Sequence, residues 1–489
     1  MDEKKVRIYF TSDIHGYFYP TSYGDMERKA MGLFGCASQF ERDKNTLILD
    51  GGDLLQGSAF AYYCKKELRS PEIIANIMND CGYDYYTLGN HDFNYGQEYQ
   101  KKYIMQHKGK CVCENLEDEQ GDRIYPWQLL VLENGIRVGI AGIVTDYVNM
   151  WEQKENLTGI KITNPFDAAK KALEEMRGKT DLTICIYHGG FECDLDTGIK
   201  LTDSTENIGY RICRELDFDI LLTGHQHQSI DGKALFGTYM VQPKDNGTEF
   251  FEIVAEMKHE KWEIVSRRKY AEDRCEKLEK KYSDTETVIQ NWLDQPAGYL
   301  DRDLLPEGKI EMAIHGSPIA EFLNQIQLYF SHADVSVVGL ANDIKGFHRE
   351  VSLRDIIATY PYPNTLVVCE ITGAGLKAAM ERSMEYFEIK DGKLVVAESF
   401  LKPKVEHYNY DYYAGVTYEI HPENAPGSRV TELKKDGKII REDQILTLCL
   451  NNYRFSGAGG YPMYQGCRVI REINQEMVEL ILTYFEETA

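Results

Sequence analysis

The sequence lacks any run approaching the ~20 consecutive apolar residues of a membrane span. Met1-Asp-Glu-Lys-Lys5 leads straight into the strand-like Val6–Phe10, without the apolar stretch of a secretory signal. No membrane partner is expected, and the expected compartment is the cytoplasm. Proline is scarce, 14 in 489 residues, and there is no internal repeat or low-complexity tract, which excludes collagen-like, solenoid and disordered chains. The 12 cysteines are scattered, with no Cys-x-x-Cys pair of zinc-ribbon spacing, and read as small buried hydrophobes of a reducing compartment. Positive charge is also in deficit. Against 78 Asp plus Glu there are 55 Lys plus Arg, a net −23, which opposes docking on polymeric nucleic acid or on an anionic membrane. A phosphate-bearing substrate would need local positive charge, and metals can supply it.

What is present is an ordinary globular composition, 43% hydrophobic and 27% charged, in a chain long enough for two or more domains. Up to about residue 270, short β-rich runs alternate with stretches of helical spacing, as in a layered α/β sandwich. The runs are Val6–Thr11, Asn45–Asp50, Tyr83–Leu88, Gly135–Val144, Asp181–Tyr187, Phe218–Leu222 and Thr238–Gln242. Helices are expected at Pro71–Cys81 and at Pro165–Arg177, the latter with Asn164 as N-cap and Pro165 at the first helical position. Residues 271–300 change character: a charged stretch with apolar residues three or four apart reads as an exposed connecting helix. Mixed α/β patterning resumes over 301–489. The expected domains are therefore 1–270, a linker at 271–300, and 301–489.

The residues that follow the N-terminal strands form a chemical series: Asp13-Ile-His15, Gly52-Asp53, Gly89-Asn-His-Asp92, His188 and Gly224-His-Gln-His227. In open α/β sheets, loops at the carboxyl ends of strands converge on one crevice. Carboxylate, imidazole and carboxamide without thiolate suit Mn, Fe, Zn or Co. Residues two apart on extended backbone project to one side, so Asp13 with His15, and His225 with His227, could each serve one centre. Asp13, His15, Asp53, Asn90, His188, His225 and His227 are more ligands than one ion needs. Two divalent metals are implied, with Asp53 as the shared carboxylate. Taken singly, an Asp-x-His is more often a turn beside a surface imidazole, and Gly-Asn-His-Asp could be a turn with Asx hydrogen bonds. The argument rests on their ordered joint occurrence.

This series resembles the metallophosphoesterase superfamily, and its five motifs stand in the family's order. The resemblance implies an N-terminal four-layer β-sandwich flanked by helices. It implies one metal on Asp13, His15, Asp53 and His227 and a second on Asp53, Asn90, His188 and His225. It leaves His91 facing substrate, with a metal-bridging hydroxide as nucleophile. His91 would then stabilise the transition state and protonate the leaving alkoxide, with Asp92 or another acid keeping it charged. Where the family often has an Asp paired with that histidine, this chain has Asn94, which orients the ring without raising its pKa as a carboxylate does.

The C-terminal half resembles the 5′-nucleotidase family, in a bacterial, Firmicutes-like form, through Asn342-Asp-Ile-Lys345, Tyr360-Pro-Tyr-Pro-Asn364 and Asn451–Tyr461. The resemblance implies a mixed α/β nucleoside-binding domain in which Tyr362 and Tyr453 stack on the base, with Asn342, Lys345, Asn364, Asn90 and His91 as further substrate contacts. Lys345 replaces a family arginine, a point charge for a bidentate fork, and Gly459 stands where the family's ribose-binding aspartate is usual. The expected enzyme is a di-metal phosphoester hydrolase acting on small nucleotides, as a 5′-nucleotidase, a 2′,3′-cyclic nucleotide 2′-phosphodiesterase, or both. Alternatives are a phosphoesterase on another small molecule, with the tyrosines serving as packing, and a non-catalytic nucleotide-binding module.

Overall fold

The computed structural model describes residues 4–25, 27–201, 205–473 and 475–488. The chain divides into two compact units, Met1–Ile289 and Gln290–Ala489. The division falls inside the helix Glu276–Leu293, which occupies the expected connecting stretch but begins five residues after Ala271.

The first unit is a sandwich of two six-stranded sheets. In one, Lys5–Thr11, Thr46–Asp50, Tyr85–Tyr86 and Lys110–Cys111 run parallel, and Glu249–Lys258 and Lys261–Tyr270 extend it antiparallel. In the other, Thr238–Gln242, Ile220–Thr223, Leu182–His188 and Arg137–Val144 are parallel, flanked by antiparallel Ile230–Leu235 and Gln128–Val131. Side chains alternate across each strand, and this places the two cores. Ile184 and Ile186 enter the space between the sheets with Val6, Ile8, Phe10, Leu47 and Leu49. Cys185 and Tyr187 face the other way, onto Ala169 and Leu173 of the helix Pro165–Met176 and Ile212 of Gly209–Glu215. Each aliphatic side chain so buried contributes roughly 1.5–3 kcal/mol. Sheets stacked on each other and covered by helices give the four-layer architecture.

The helix Pro165–Met176 starts as expected: Asn164 Oδ1 accepts from Asp167 N at 3.1 Å, with proline at its first position. The helix expected from Pro71 begins at Glu72, with Pro71 as its N-cap. The run Tyr83–Leu88 pairs as strand only at Tyr85–Tyr86, and its neighbours run alongside through Asp84 N to Ile48 O and Thr87 N to Asp50 O, 2.8 and 3.1 Å. His188 is the last residue of its strand rather than the first beyond it.

The second unit is built on a five-stranded mixed sheet in the order Asp411–Ala414, Val335–Gly339, Ile445–Asn451, Leu366–Thr372, Arg468–Ile473. Val335, Val337, Val367, Cys369 and Leu448 form its core with Leu376 and Met380 of the helix Gly373–Met384. Among the described residues no helix is long and apolar enough to cross a membrane.

Candidate active site

The turns after the parallel strands of both sheets meet at one edge of the sandwich. Two groups of ligand atoms form there, each within 4.8 Å: Asp13, His15 and His227 in one, Asp53, His188 and His225 in the other. Asn90 belongs with the second, its Oδ1 lying 2.8 Å from His225 Nδ1 and 3.2 Å from His188 Nε2. The groups adjoin, since Asp53 Oδ2 lies 3.1 Å from His188 Nε2 and 3.9 Å from His15 Nε2.

The backbone that delivers these side chains is not extended. Asp13, His15, Asp53, His225 and His227 have φ of 55°, 51°, 58°, 69° and 55°, in the left-handed region that non-glycine residues seldom adopt and that concentrates at functional sites. This corrects the reading from spacing alone, that both Asp-x-His and His-x-His present their residues to one centre, and agrees with the division of His225 and His227 that the family resemblance implies. Asp13 and His15 share a group, but the turn splits His225 from His227 and sends them to different ones. Space is equally restricted. A Cβ on Gly89 would lie 2.2 Å from Asp53 Oδ1 and 2.6 Å from His188 Cε1, so the glycine that precedes Asn90 is what lets two strand ends close on each other.

Hydrogen bonds on the outer ring nitrogens aim the imidazoles. His15 Nδ1 donates to the Gln56 carbonyl at 2.9 Å and His188 Nδ1 to the Gly51 carbonyl at 2.7 Å, so each points its Nε2 inward. His225 Nε2 lies 2.6 Å from Glu206 Oε1, and His227 Nδ1 lies 3.5 Å from Asp245 Oδ2. His15 Nε2 therefore faces His227 Nε2 at 3.2 Å, with Asp13 Oδ1 3.3 Å from the latter. Lone pairs converging in this way repel unless a cation lies among them, and the donor set of carboxylate, imidazole and amide oxygen suits divalent ions.

Electrostatics follows the same pattern. Burial works to raise Asp13, but His227 and His188 outweigh it and hold the carboxyl below its usual range. Burial also opposes ionisation of Asp53, and His188 and His91 pull it far below. Burial lowers His15 to about 4. His188 is as buried, yet the charge of Asp53 beside it carries the imidazole up to about 9.

His91 and Asp92 diverge. The half-buried His91 ring lies 5.3 Å from His15, and its Nδ1 is 2.8 Å from Asn94 Oδ1. Asp92 is turned inward, accepting the backbone N–H groups of Asp53, Leu54, Leu55 and Gly89 at 2.8–2.9 Å. It braces the Asp53 turn, correcting the expectation that Asp92 keeps His91 charged. The carboxylate behind His91 is Glu152, whose Oε2 accepts from Asn94 Nδ2 at 2.7 Å.

In the second unit the expected substrate residues occupy loops at one end of the five-stranded sheet. Asn342 and Lys345 follow Val335–Gly339, Tyr362 and Asn364 precede Leu366–Thr372, and Tyr453 follows Ile445–Asn451, strands whose parallel and antiparallel pairing puts these ends together. The two tyrosine loops are stitched by Asn452 N to Thr365 O at 3.0 Å and Thr365 N to Asn452 Oδ1 at 3.1 Å. Tyr362 packs edge-on to Tyr360 at 6.3 Å, and Asn364 Nδ2 reaches Tyr360 Oη at 3.5 Å. Asn342 Nδ2 donates to the Val405 carbonyl at 2.8 Å, Lys345 is exposed, and Tyr453 is half-buried with the Arg454 guanidinium 6.0 Å over its ring.

Residues 6–229 match the calcineurin-like phosphoesterase family and residues 303–466 the 5′-nucleotidase C-terminal domain. A protein from Staphylococcus aureus, solved as a candidate 5′-nucleotidase in complex with alpha-ketoglutarate, is 31% identical, with a TM-score of 0.93 over 99% of this chain and 97% of that one. The chain belongs to the 5′-nucleotidase family. Two curated family relatives are the trifunctional nucleotide phosphoesterase YfkN of Bacillus subtilis and the 2′,3′-cyclic-nucleotide 2′-phosphodiesterase/3′-nucleotidase of Yersinia enterocolitica. The first is 24% identical over 98% of this chain and 38% of its own length, the second 26% identical over 93% and 82%. This chain thus spans well under half of the first relative.

One of the departures from the family pattern, Gly459, has a steric reason. At Gly459 φ is +74°, and a Cβ would fall 2.1 Å from Asn409 Oδ1 and 2.3 Å from Arg454 Nη1. Arg454, unremarked in the sequence, is buried there and donates to Asp411, Asn409, Ala458 O and Tyr408 O. An aspartate has no room. Glu152, Glu206 and Asp245, also missed, stand in segments without motif spacing, and only the fold brings them to the histidines.

Proposed function

We propose that the protein is a metal-dependent phosphohydrolase of small nucleotides, acting on 5′-mononucleotides, 2′,3′-cyclic nucleotides or both. The observation that carries the reading is the pair of adjoining ligand groups, Asp13–His15–His227 and Asp53–His188–His225, with Asn90 at the second and Asp53 between them. The pair fits two divalent ions drawn from Mn, Zn, Fe and Co, which when bound would supply Lewis acidity and a water acidified toward neutral pH.

The chain's own residues do the rest. Asn90 and His91 border the reacting phosphate, and His91 hands a proton to the leaving oxygen. Tyr362 and Tyr453 hold the base by stacking, which tolerates any base, while Lys345 offers a point charge to phosphate. Residues 1–270 act as the catalytic domain, 271–300 as connector and 301–489 as substrate-binding domain. The net charge of −23 disfavours polymeric nucleic acid and anionic membrane, and 12 free cysteines, ten of them buried, favour a reducing cytoplasm. The edge-on packing of Tyr362 against Tyr360 favours one second reading, a phosphoesterase on a non-nucleotide small molecule with those rings as packing.

The test is product identification after incubating the metal-loaded chain with 5′-, 3′- and 2′,3′-cyclic nucleotides. Release of nucleoside or nucleoside monophosphate is expected, and Asp53→Ala should abolish it. Turnover retained by Asp53→Ala would overturn the metal reading. Tyr362→Ala should raise KM for nucleotides roughly five- to hundredfold, the range of one lost stacking contact. An unchanged nucleotide KM would transfer the case to the second reading.

A further inference from the structure

Around His91 lies a second group of residues that belongs to none of the five motifs. The short helix Val148–Trp151 ends at Glu152, and the turn Lys154–Leu157 follows. Glu152 Oε2 accepts from Asn94 Nδ2 at 2.7 Å, while its Oε1 accepts from Asn156 Nδ2 and from Gln153 N, both at 2.8 Å. Asn156 Nδ2 also donates to the Asn94 carbonyl at 3.0 Å, tying the two segments together.

We propose that Glu152 is a positioning residue for His91, acting through the side-chain amide of Asn94. The proposal rests on the phosphohydrolase reading above. The argument is one of hydrogen-bond polarity. An ionised carboxylate only accepts, so the Asn94 amide must turn its NH₂ toward Glu152 and its oxygen toward His91. An oxygen 2.8 Å from Nδ1 requires Nδ1 to carry hydrogen. Nε2 is then the one ring nitrogen that exchanges a proton. Were the amide reversed, its NH₂ would face Nδ1 and exclude the imidazolium, which donates from both nitrogens. The chain thus places an amide where the family often has a carboxylate, and the carboxylate stands one residue behind it.

In the step this serves, the P–O bond to the leaving group breaks with its electron pair on the departing oxygen, which takes the Nε2 proton of His91. Water supplies the hydroxyl that completes the phosphate, and its remaining proton restores Nε2.

The experiment compares kcat for a 5′-nucleoside monophosphate, whose alkoxide leaving group needs a proton, with kcat for p-nitrophenyl phosphate, whose leaving group needs little help. Glu152→Gln is isosteric but lets the two amides pair in either sense. It should lower the nucleotide kcat roughly ten- to hundredfold, a part of what general acid catalysis contributes. The p-nitrophenyl phosphate kcat should fall far less, with nucleotide KM and bound metal unchanged. Adding Asn94→Asp to Glu152→Gln returns an acceptor-only group to face Nδ1, with the amide behind, and should bring the nucleotide kcat back toward wild type. Equal losses on both esters, no loss, or no rescue would each overturn the proposal. Polarity is also read without turnover. In the metal-free ¹⁵N-histidine-labelled chain, His91, assigned by its disappearance in His91→Ala, should show the Nδ1–H tautomer, and the Nε2–H tautomer would overturn the proposal. A wild-type chain loaded with Mn²⁺ that hydrolyses neither ester would instead sink the phosphohydrolase reading, leaving the tautomer to be judged by the spectrum.

Discussion

His188 is held between two acceptors, one at each ring nitrogen. The Gly51 carbonyl fixes its Nδ1 as a donor, and Asp53 draws a second proton onto Nε2, raising the imidazole to about 9 against the cost of burial. In the metal-free chain that proton contributes stability that is complete below the ordinary histidine pKa of about 6.5 and is lost as pH rises through about 9. A divalent ion at Nε2 must displace the proton. Metal affinity should therefore weaken as pH falls below about 9, by up to about tenfold per pH unit on account of His188 alone. Calorimetric titrations at several pH values, in buffers of different ionisation heat, would count the proton released, and no release at neutral pH would contradict this account. At this scale the sequence was informative about identity and poor about direction. All seven expected ligands do converge, because each residue type and its strand-end position were visible in the motifs. The partition of His225 from His227 was legible only through the family resemblance, since spacing alone would put both on one side, as it does Asp13 and His15.

Among the elements, the turn after Asn452–Phe455 carries a testable consequence. Gly459 combines φ +74° with a Cβ position already filled by Asn409 and Arg454, whereas Gly427, at φ +84°, has nothing within 4 Å. Gly427→Ala should cost about 1 kcal/mol, the penalty for left-handed backbone alone. Gly459→Ala should cost about 2–4 kcal/mol, since overpacking adds about 1–3. Urea denaturation of the two variants gives the difference directly, and equal costs would mean that the Arg454 cluster yields freely. The strands and the helix Pro165–Met176 were legible because alternation and an Asn-Pro start are local signals. Tyr83–Leu88 shrank to a two-residue strand because pairing depends on what lies beside it, and the buried Arg454 was hidden because its partners at 408–411 are distant in sequence.

For the whole molecule, composition and motif order indicated two units, and two compact units are found. The ligand groups lie entirely in Met1–Ile289, which also holds Trp127, Trp151 and Trp262, while Trp292 belongs to Gln290–Ala489. Mn²⁺ should therefore stabilise the first unit, by about 2.7 kcal/mol at a hundred times its Kd. The rise should appear in the tryptophan-detected transition and vanish in Asp53→Ala, and an equal rise in that variant would place the metal elsewhere. One feature of the sandwich also sets an order of events during folding. Asp13, Asp53 and Asn90 come from one sheet and His188, His225 and His227 from the other. Neither sheet alone supplies either nest, so each becomes complete only when the two sheets have come together.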